Sequence, residues 1–267
     1  MRELGRLDAV VFDAGGTLVR LDFEWMSELL AGLGHPVDPI RLRRAEVEGR
    51  RRYDASAGRS PDPLAPPPPL GSSGDTRAYF GGMLEAAGVP RELIPQALER
   101  FQARHAEEGL WSRPAEGARE ALDRIQALGL KRAVVSNSDG RAEQHLVESS
   151  VREGLELIVD SYDVRVEKPD PRIFAIALER LHVHAEHALY VGDIVSVDVR
   201  GARAAGMHVV LIDPYRDYAP RGVPAIPHLG ALPYFIAEKF DIGTRPATRP
   251  PSRDKPTVPT PLEGVHS

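Results

Sequence analysis

The stretch Val10-Val11-Phe12-Asp13-Ala14-Gly15-Gly16-Thr17-Leu18 decides how the chain reads: an apolar strand delivers one aspartate to a glycine-rich turn. Alone, Asp13 could be the ordinary first residue of a turn after a buried strand. Three later segments change its meaning, because each also lies where an apolar run ends and a turn or helix starts. They are Ser136-Asn137 after Ala133-Val134-Val135, Lys168-Pro169-Asp170-Pro171, and Gly192-Asp193 with Asp198 five residues beyond Asp193. A carboxylate is already ionised at neutral pH, so Asp13 could attack phosphorus without a base. Asp193, with Asp198 in support, offers the hard oxygen ligands that Mg²⁺ prefers. Ser136 can donate to a phosphoryl oxygen, and Lys168 can bring a point charge to a developing transition state. The chain otherwise uses arginine for its cations, with lysine only at Lys131, Lys168, Lys239 and Lys255. A compact ammonium at position 168 therefore favours a functional reading.

Outward from these segments the pattern divides in two. After Leu18, Asp22 caps a helix with Phe23, Met26, Leu29, Leu30 and Leu33 at helical spacing, and Asp38-Pro39 opens an Arg-rich helix to about Tyr53. Residues 57–75, with four prolines at 66–69 and Gly-Ser-Ser-Gly at 71–74, read as irregular loop, and helices follow at about 76–88 and 91–109. Beyond Trp111, helices at 116–128, 140–150, 171–181 and 197–205 alternate with strands Arg132–Val135, Leu157–Val159, Ala188–Val191 and His208–Ile212. That alternation implies βαβ units and a parallel sheet. The expected fold class is α/β: a Rossmann-like parallel-sheet core with an inserted all-helical cap domain. The core takes residues 1–19 and 114–242, the cap residues 20–113, and residues 243–267 form a tail too poor in apolar side chains to pack, expected to be disordered. An insertion after the first strand hangs over the carboxyl ends of the strands, where such sheets bind ligands.

Composition narrows the partners. A net charge of −5 and pI near 6.0 argue against nucleic acid, which needs a clustered basic excess. No cysteine is present, so neither disulfides nor thiolate metal sites are available. No run of about 18 uncharged apolar residues occurs and no signal-like stretch precedes Asp8 and Asp13, so a cytoplasmic protein without membrane contact is expected.

Taken together, the four segments resemble the haloacid dehalogenase-like hydrolase superfamily, in the group with a helical cap inserted after the first motif, over residues 8–213. The resemblance implies that Asp13 is the nucleophile forming an aspartyl-phosphate and that Mg²⁺ is held by Asp13, Asp193 and the main-chain carbonyl of Gly15, with Asp198 positioning the metal shell. It also implies that Ser136 and Asn137 bind the substrate and that Lys168 steadies nucleophile and phosphate. The implied substrate is a small phosphorylated metabolite. Gly15 departs from the pattern, because the family's phosphatases carry there an aspartate that protonates the leaving oxygen and activates water, work worth roughly 10²–10⁴-fold. The superfamily's 2-haloacid dehalogenases place an aromatic residue at that position and dispense with the metal, whereas this chain keeps Asp193 and Asp198. Its phosphonatases need a cap lysine, and residues 20–113 contain none. Two alternatives stay beside the phosphatase: a binding or regulatory protein with little turnover, and a hydrolase of another bond such as carbon–halogen.

Other conspicuous residues have plainer readings. His182, His184 and His187 lie in an exposed helix-to-strand connection with no carboxylate cluster beside them. The arginines at 41, 43, 44 and 50–52 are interspersed with Glu46 and Glu48 as on a solvated helix face. Trp25 and Trp111 read as cap core and hinge packing.

Overall fold

The computed structural model of the chain describes residues 4–56 and 75–242. The tail at 243–267 and nearly all of the Pro-rich loop lie outside the described residues. The chain runs β1 (Ala9–Phe12), β2 (Val19–Leu21), α1 (Phe23–Gly32), α2 (Pro39–Ser56), α3 (Thr76–Ala86), α4 (Ile94–Glu107) and β3 (Trp111–Pro114). It continues with α5 (Ala118–Ala127), β4 (Lys131–Ser136), α6 (Ala142–Glu148), β5 (Leu157–Asp160), α7 (Ser161–Val164), α8 (Pro171–Leu181) and β6 (Ala188–Gly192). A π-helical turn, Val195–Val199, leads into α9 (Arg200–Ala204), followed by β7 (His208–Ile212), β8 (Ala225–Ile226) and α10 (Leu232–Lys239).

Six strands form one parallel sheet in the order β5-β4-β1-β6-β7-β8, an α/β fold with a helical insertion after its first strand. Strand alternation sends successive side chains to opposite faces. Val10 and Phe12 join Leu122, Ile125, Leu232 and Ile236 on one face; Ala9 and Val11 join Ile173, Phe174, Leu181 and Ala202 on the other. Both faces are covered, which explains the uninterrupted apolar runs. Phe12 pairs with Val134 of β4 and Val191 of β6, so Asp13, Ser136 and Asp193 emerge together at the carboxyl edge.

Sequence periodicity placed the long helices and missed the short connectors. Val19–Leu21 and Trp111–Pro114, too brief to show alternation, pair antiparallel as a two-stranded ribbon from which α1–α4 hang. Asp22 caps α1 by accepting from Trp25 N at 3.1 Å and sits 3.1 Å from Arg113 Nε, tying the ribbon together. The helix expected at 197–205 starts earlier, as the π-helical turn, and α10 near the end was not foreseen. The insertion has its own core, in which Met26, Leu30, Leu42, Met83, Leu84 and Phe101 are fully or nearly fully buried.

Two groups of hydrogen bonds among the described residues help pin the insertion to the sheet. On α2, Glu46, Arg50 and Asp54 recur every four residues on one face. Asp54 accepts from Ser196 N (2.8 Å) and Tyr218 Oη (2.6 Å), while Arg50 donates to Ile212 O (3.0 Å). On the other side, Arg141 donates to the carbonyls of His105 (2.8 Å) and Ala106 (3.2 Å) in the last turn of α4. Charge at a helix carboxyl end suits the helix dipole.

Asp54→Ala leaves a backbone N–H and a phenol without their acceptor. At about 1–3 kcal/mol for such groups and 2–4 °C per kcal/mol in a protein of this size, melting should fall by roughly 2–12 °C, with Asp54→Asn losing less. Calorimetry of the three proteins checks this; an unchanged melting temperature in Asp54→Ala would remove the clamp.

Candidate active site

Between the insertion and the sheet edge lies a cavity of about 260 Å³ whose floor holds Asp13, Gly15, Ser136, Asn137, Lys168, Asp193 and Asp198. All seven residues singled out from sequence therefore line one space. Carboxylate oxygens of Asp13, Asp193 and Asp198 come within 4.8 Å of one another. Lys168 is buried at 2 % exposure, and each of its three N–H donors has an acceptor: Asp13 Oδ1 at 2.6 Å, Asp198 Oδ1 at 2.9 Å and Tyr190 Oη at 2.9 Å. Burial would depress the ammonium, but Asp13 and Asp198 overcome it and hold Lys168 above the ordinary lysine range. Burial also raises Asp13, to about 6, with Lys168 pulling it back.

Asp198 is occupied on both oxygens. Oδ1 takes Lys168 Nζ and Tyr190 Oη (3.1 Å), and Oδ2 takes the amides of Asp193 (3.0 Å) and Ile194 (2.9 Å). It thereby shapes the turn that carries Asp193. Asp193 is the opposite case: its Oδ1 is buried with no hydrogen-bond partner among the described residues. Burial pushes this carboxyl well above the usual range, Arg50 pulls it down, and Asp198 and Asp13 push it up again. Unpartnered oxygen, clustered hard donors and excess negative charge suit a divalent cation. Gly16, at φ +80°, fits because a Cβ there would lie 2.1 Å from Asp193 Oδ2.

Asn137 lines the cavity, but both ends of its amide are committed. Nδ2 donates to Lys168 O (2.9 Å) and Oδ1 accepts from Lys168 N (2.8 Å), so it fixes the backbone from which the lysine reaches inward. Ser136, the last residue of β4, lines the floor beside it.

Several residues here escaped sequence reasoning. Arg50 and Glu46, read as part of a solvated face, are buried: Arg50 Nε lies 3.4 Å from Asp193 Oδ2, its Nη2 donates to Glu46 (3.3 Å), and Tyr79 Oη donates to Glu46 (2.6 Å). The signal was the four-residue recurrence of Glu46, Arg50 and Asp54, masked by neighbouring surface arginines. Tyr190 was hidden inside an apolar strand. Trp111, assigned to hinge packing, also walls the cavity, and a Cβ on Gly15 would meet its indole at 3.3 Å. An aromatic ring from the ribbon thus stands against position 15.

The family model for haloacid dehalogenase-like hydrolases matches residues 7–206. Mouse haloacid dehalogenase-like hydrolase domain-containing protein 3 is 39% identical over 123 residues, 43% of this chain and 49% of that protein. Glyceraldehyde 3-phosphate phosphatase of Methanopyrus kandleri is 34% identical over 154 residues, 56% of this chain and 65% of that protein. The chain thus spans about half to two-thirds of the length of these relatives. In fold it is similar to the magnesium-bound HAD-hydrolase YfnB of Bacillus subtilis, with a TM-score of 0.53, 20% identity and coverage of 87% of this chain and 99% of that one.

The indole sets the outcome of restoring a side chain at position 15. Gly15→Asp alone should destabilise by about 1–3 kcal/mol, since overpacking a filled space strains its neighbours. Adding Trp111→Leu should return part of that loss. Denaturant unfolding of both single variants and the double reads the coupling; strictly additive effects would show that the ring does not limit the position.

Proposed function

The chain belongs to the haloacid dehalogenase-like hydrolase family, and from that premise we propose that it is a Mg²⁺-dependent phosphatase of small phosphate monoesters with Asp13 as nucleophile. The observation that carries the reading is the pairing of Asp13 with Lys168 beside the unpartnered oxygen of Asp193, in a cavity closed over by the insertion. Asp13, Asp193 and the carbonyl of Gly15 would hold the cation, which supplies positive charge against the phosphoryl oxygens. An Asp13 carboxylate oxygen forms a bond to phosphorus as the ester P–O bond breaks, and the leaving oxygen departs with the electron pair. Water then attacks the phosphorus of the aspartyl-phosphate, releasing phosphate and restoring the carboxylate. Lys168 orients Asp13 and neutralises charge, Ser136 donates to a phosphoryl oxygen, Asn137 positions Lys168, and Asp198 holds the loop of Asp193. Gly15 brings no acid, so the proton for the leaving oxygen comes from elsewhere, and turnover is slow for poor leaving groups. No helix among the described residues is long and apolar enough to cross a membrane.

One observation favours a second reading. With Trp111 against Gly15, an aromatic ring stands beside the position at which the resemblance gives 2-haloacid dehalogenases an aromatic residue. Wild type should release phosphate from p-nitrophenyl phosphate with Mg²⁺ and lose this with EDTA, while Asp13→Asn, nearly isosteric, should be inactive yet folded. Chloride release from 2-chloropropionate with no phosphate release would establish the second reading instead; turnover of neither would leave a ligand-binding protein.

Asp13 must be ionised to attack, and with its carboxyl raised to about 6 it is protonated in acid. Activity should therefore fall as pH drops through this range. A bound cation favours the carboxylate, so the acid limb should move to lower pH as Mg²⁺ rises, a displacement that pH profiles at two Mg²⁺ concentrations measure. An acid limb independent of Mg²⁺ would separate Asp13 from the metal.

A further inference from the structure

The two carboxylate oxygens of Asp193 have unlike surroundings. Oδ2 is held from two sides: it rests against Gly16, where a Cβ would lie 2.1 Å from it, and Arg50 Nε stands 3.4 Å away. Oδ1 is buried with no hydrogen-bond partner among the described residues. A carboxylate gripped by one oxygen cannot turn, so the other keeps a fixed direction. The gripping charge comes from the insertion. Arg50 belongs to α2, is 3% exposed and does not line the cavity, whereas Asp193 does. It therefore meets Asp193 from outside the cavity, away from any bound ester.

The guanidinium is itself fixed at each remaining arm. Nη1 donates to Ile212 O at 3.0 Å, at the end of β7, the strand paired with the β6 that leads to Asp193. Nη2 donates to Glu46 Oε2 at 3.3 Å, and Glu46 Oε1 accepts from Tyr79 Oη of α3 at 2.6 Å. Nε has no hydrogen-bond partner among the described residues, so its relation to Asp193 is an ion pair. Burial would depress the guanidinium, but Glu46 and Asp193 outweigh it and Arg50 keeps its charge. One turn further along the same face, Asp54 accepts from Ser196 N at 2.8 Å. α2 thus holds both the side chain of Asp193 and the backbone three residues beyond it. A lysine at position 50 could bring the charge but not the planar fork that reaches three partners at once.

Resting on the reading of Asp193 as a cation ligand, we propose that Arg50 is a positioning residue for it: from the docked insertion Arg50 fixes Oδ2 and so presents Oδ1 to Mg²⁺, which makes cation affinity depend on a cap side chain outside the cavity. Groups that orient a ligating carboxylate are worth about 10–100-fold in metal affinity. Titration calorimetry with MgCl₂ alone, on wild type and on variants shown to be folded, reads this without substrate or turnover. Arg50→Lys keeps the charge and loses the fork, and should bind Mg²⁺ about 10-fold more weakly than wild type. The double variant Arg50→Gln with Glu46→Gln removes one charge of each sign, so Glu46 is not left buried without its cation if the lysine variant fails to fold. Its affinity should fall by a similar factor. Wild-type affinity in Arg50→Lys overturns the proposal, because charge alone would then suffice. Unchanged or tighter binding by the double variant overturns it as well, since the arginine would then be merely structural or would only repel the cation, even if melting temperature falls. The cation reading fails separately, and takes this role of Arg50 with it, if wild type binds no Mg²⁺ or if Asp193→Asn binds it as tightly as wild type.

Discussion

Asp13, Asp193 and Asp198 crowd three carboxylates into the interior, and the ammonium of Lys168 makes that arrangement tenable. One lysine bonds Asp13 and Asp198 at once and has its third donor on Tyr190. In a dry environment an unpaired carboxylate would take up a proton, and paired carboxylates repel one another. Lys168 settles two of the three. The third, Asp193, keeps an oxygen unpartnered among the described residues, an arrangement that suits a hard cation. The parts around the lysine serve its placement: Asn137 grips its backbone from the end of β4, and Asp170, capping α8 through Arg172 N at 2.9 Å, turns the chain away just beyond it.

The insertion enters this charge balance as well as covering it. Arg50 reaches from α2 to within 3.4 Å of Asp193, and Asp54 on the same face holds the turn that follows Asp193. Cap and catalytic edge are thereby coupled through buried polar groups whose geometry tolerates little drift. Arg141 holds the far rim by bonding the end of α4.

Position 15 bears on the shape of the cavity beside Asp13. Losing a carboxylate there takes away a proton carrier, while Trp111 adds an apolar wall where that group would stand.

The α/β class, the parallel strands and the gathering of Asp13, Ser136, Lys168 and Asp193 at one edge were all legible in the sequence. Apolar runs of strand length ending in polar turns are local signals, and βαβ geometry sends their ends to the same side. The brief ribbon Val19–Leu21 with Trp111–Pro114 was not legible, because strands of three or four residues carry no periodicity of their own and exist only through each other. Arg50 and Glu46 looked like surface charge among many arginines; tertiary packing buried that one face of α2 and gave it Asp193, Tyr79 and Ile212 as partners. Trp111 and His105 lie far from Asp13 along the chain, and only the folded insertion with its ribbon brings them to its cavity. Sequence thus determined which backbone delivers the reactive groups, since that depends on local pattern; the tertiary structure alone decided what surrounds them, since that depends on contacts between segments distant in the chain.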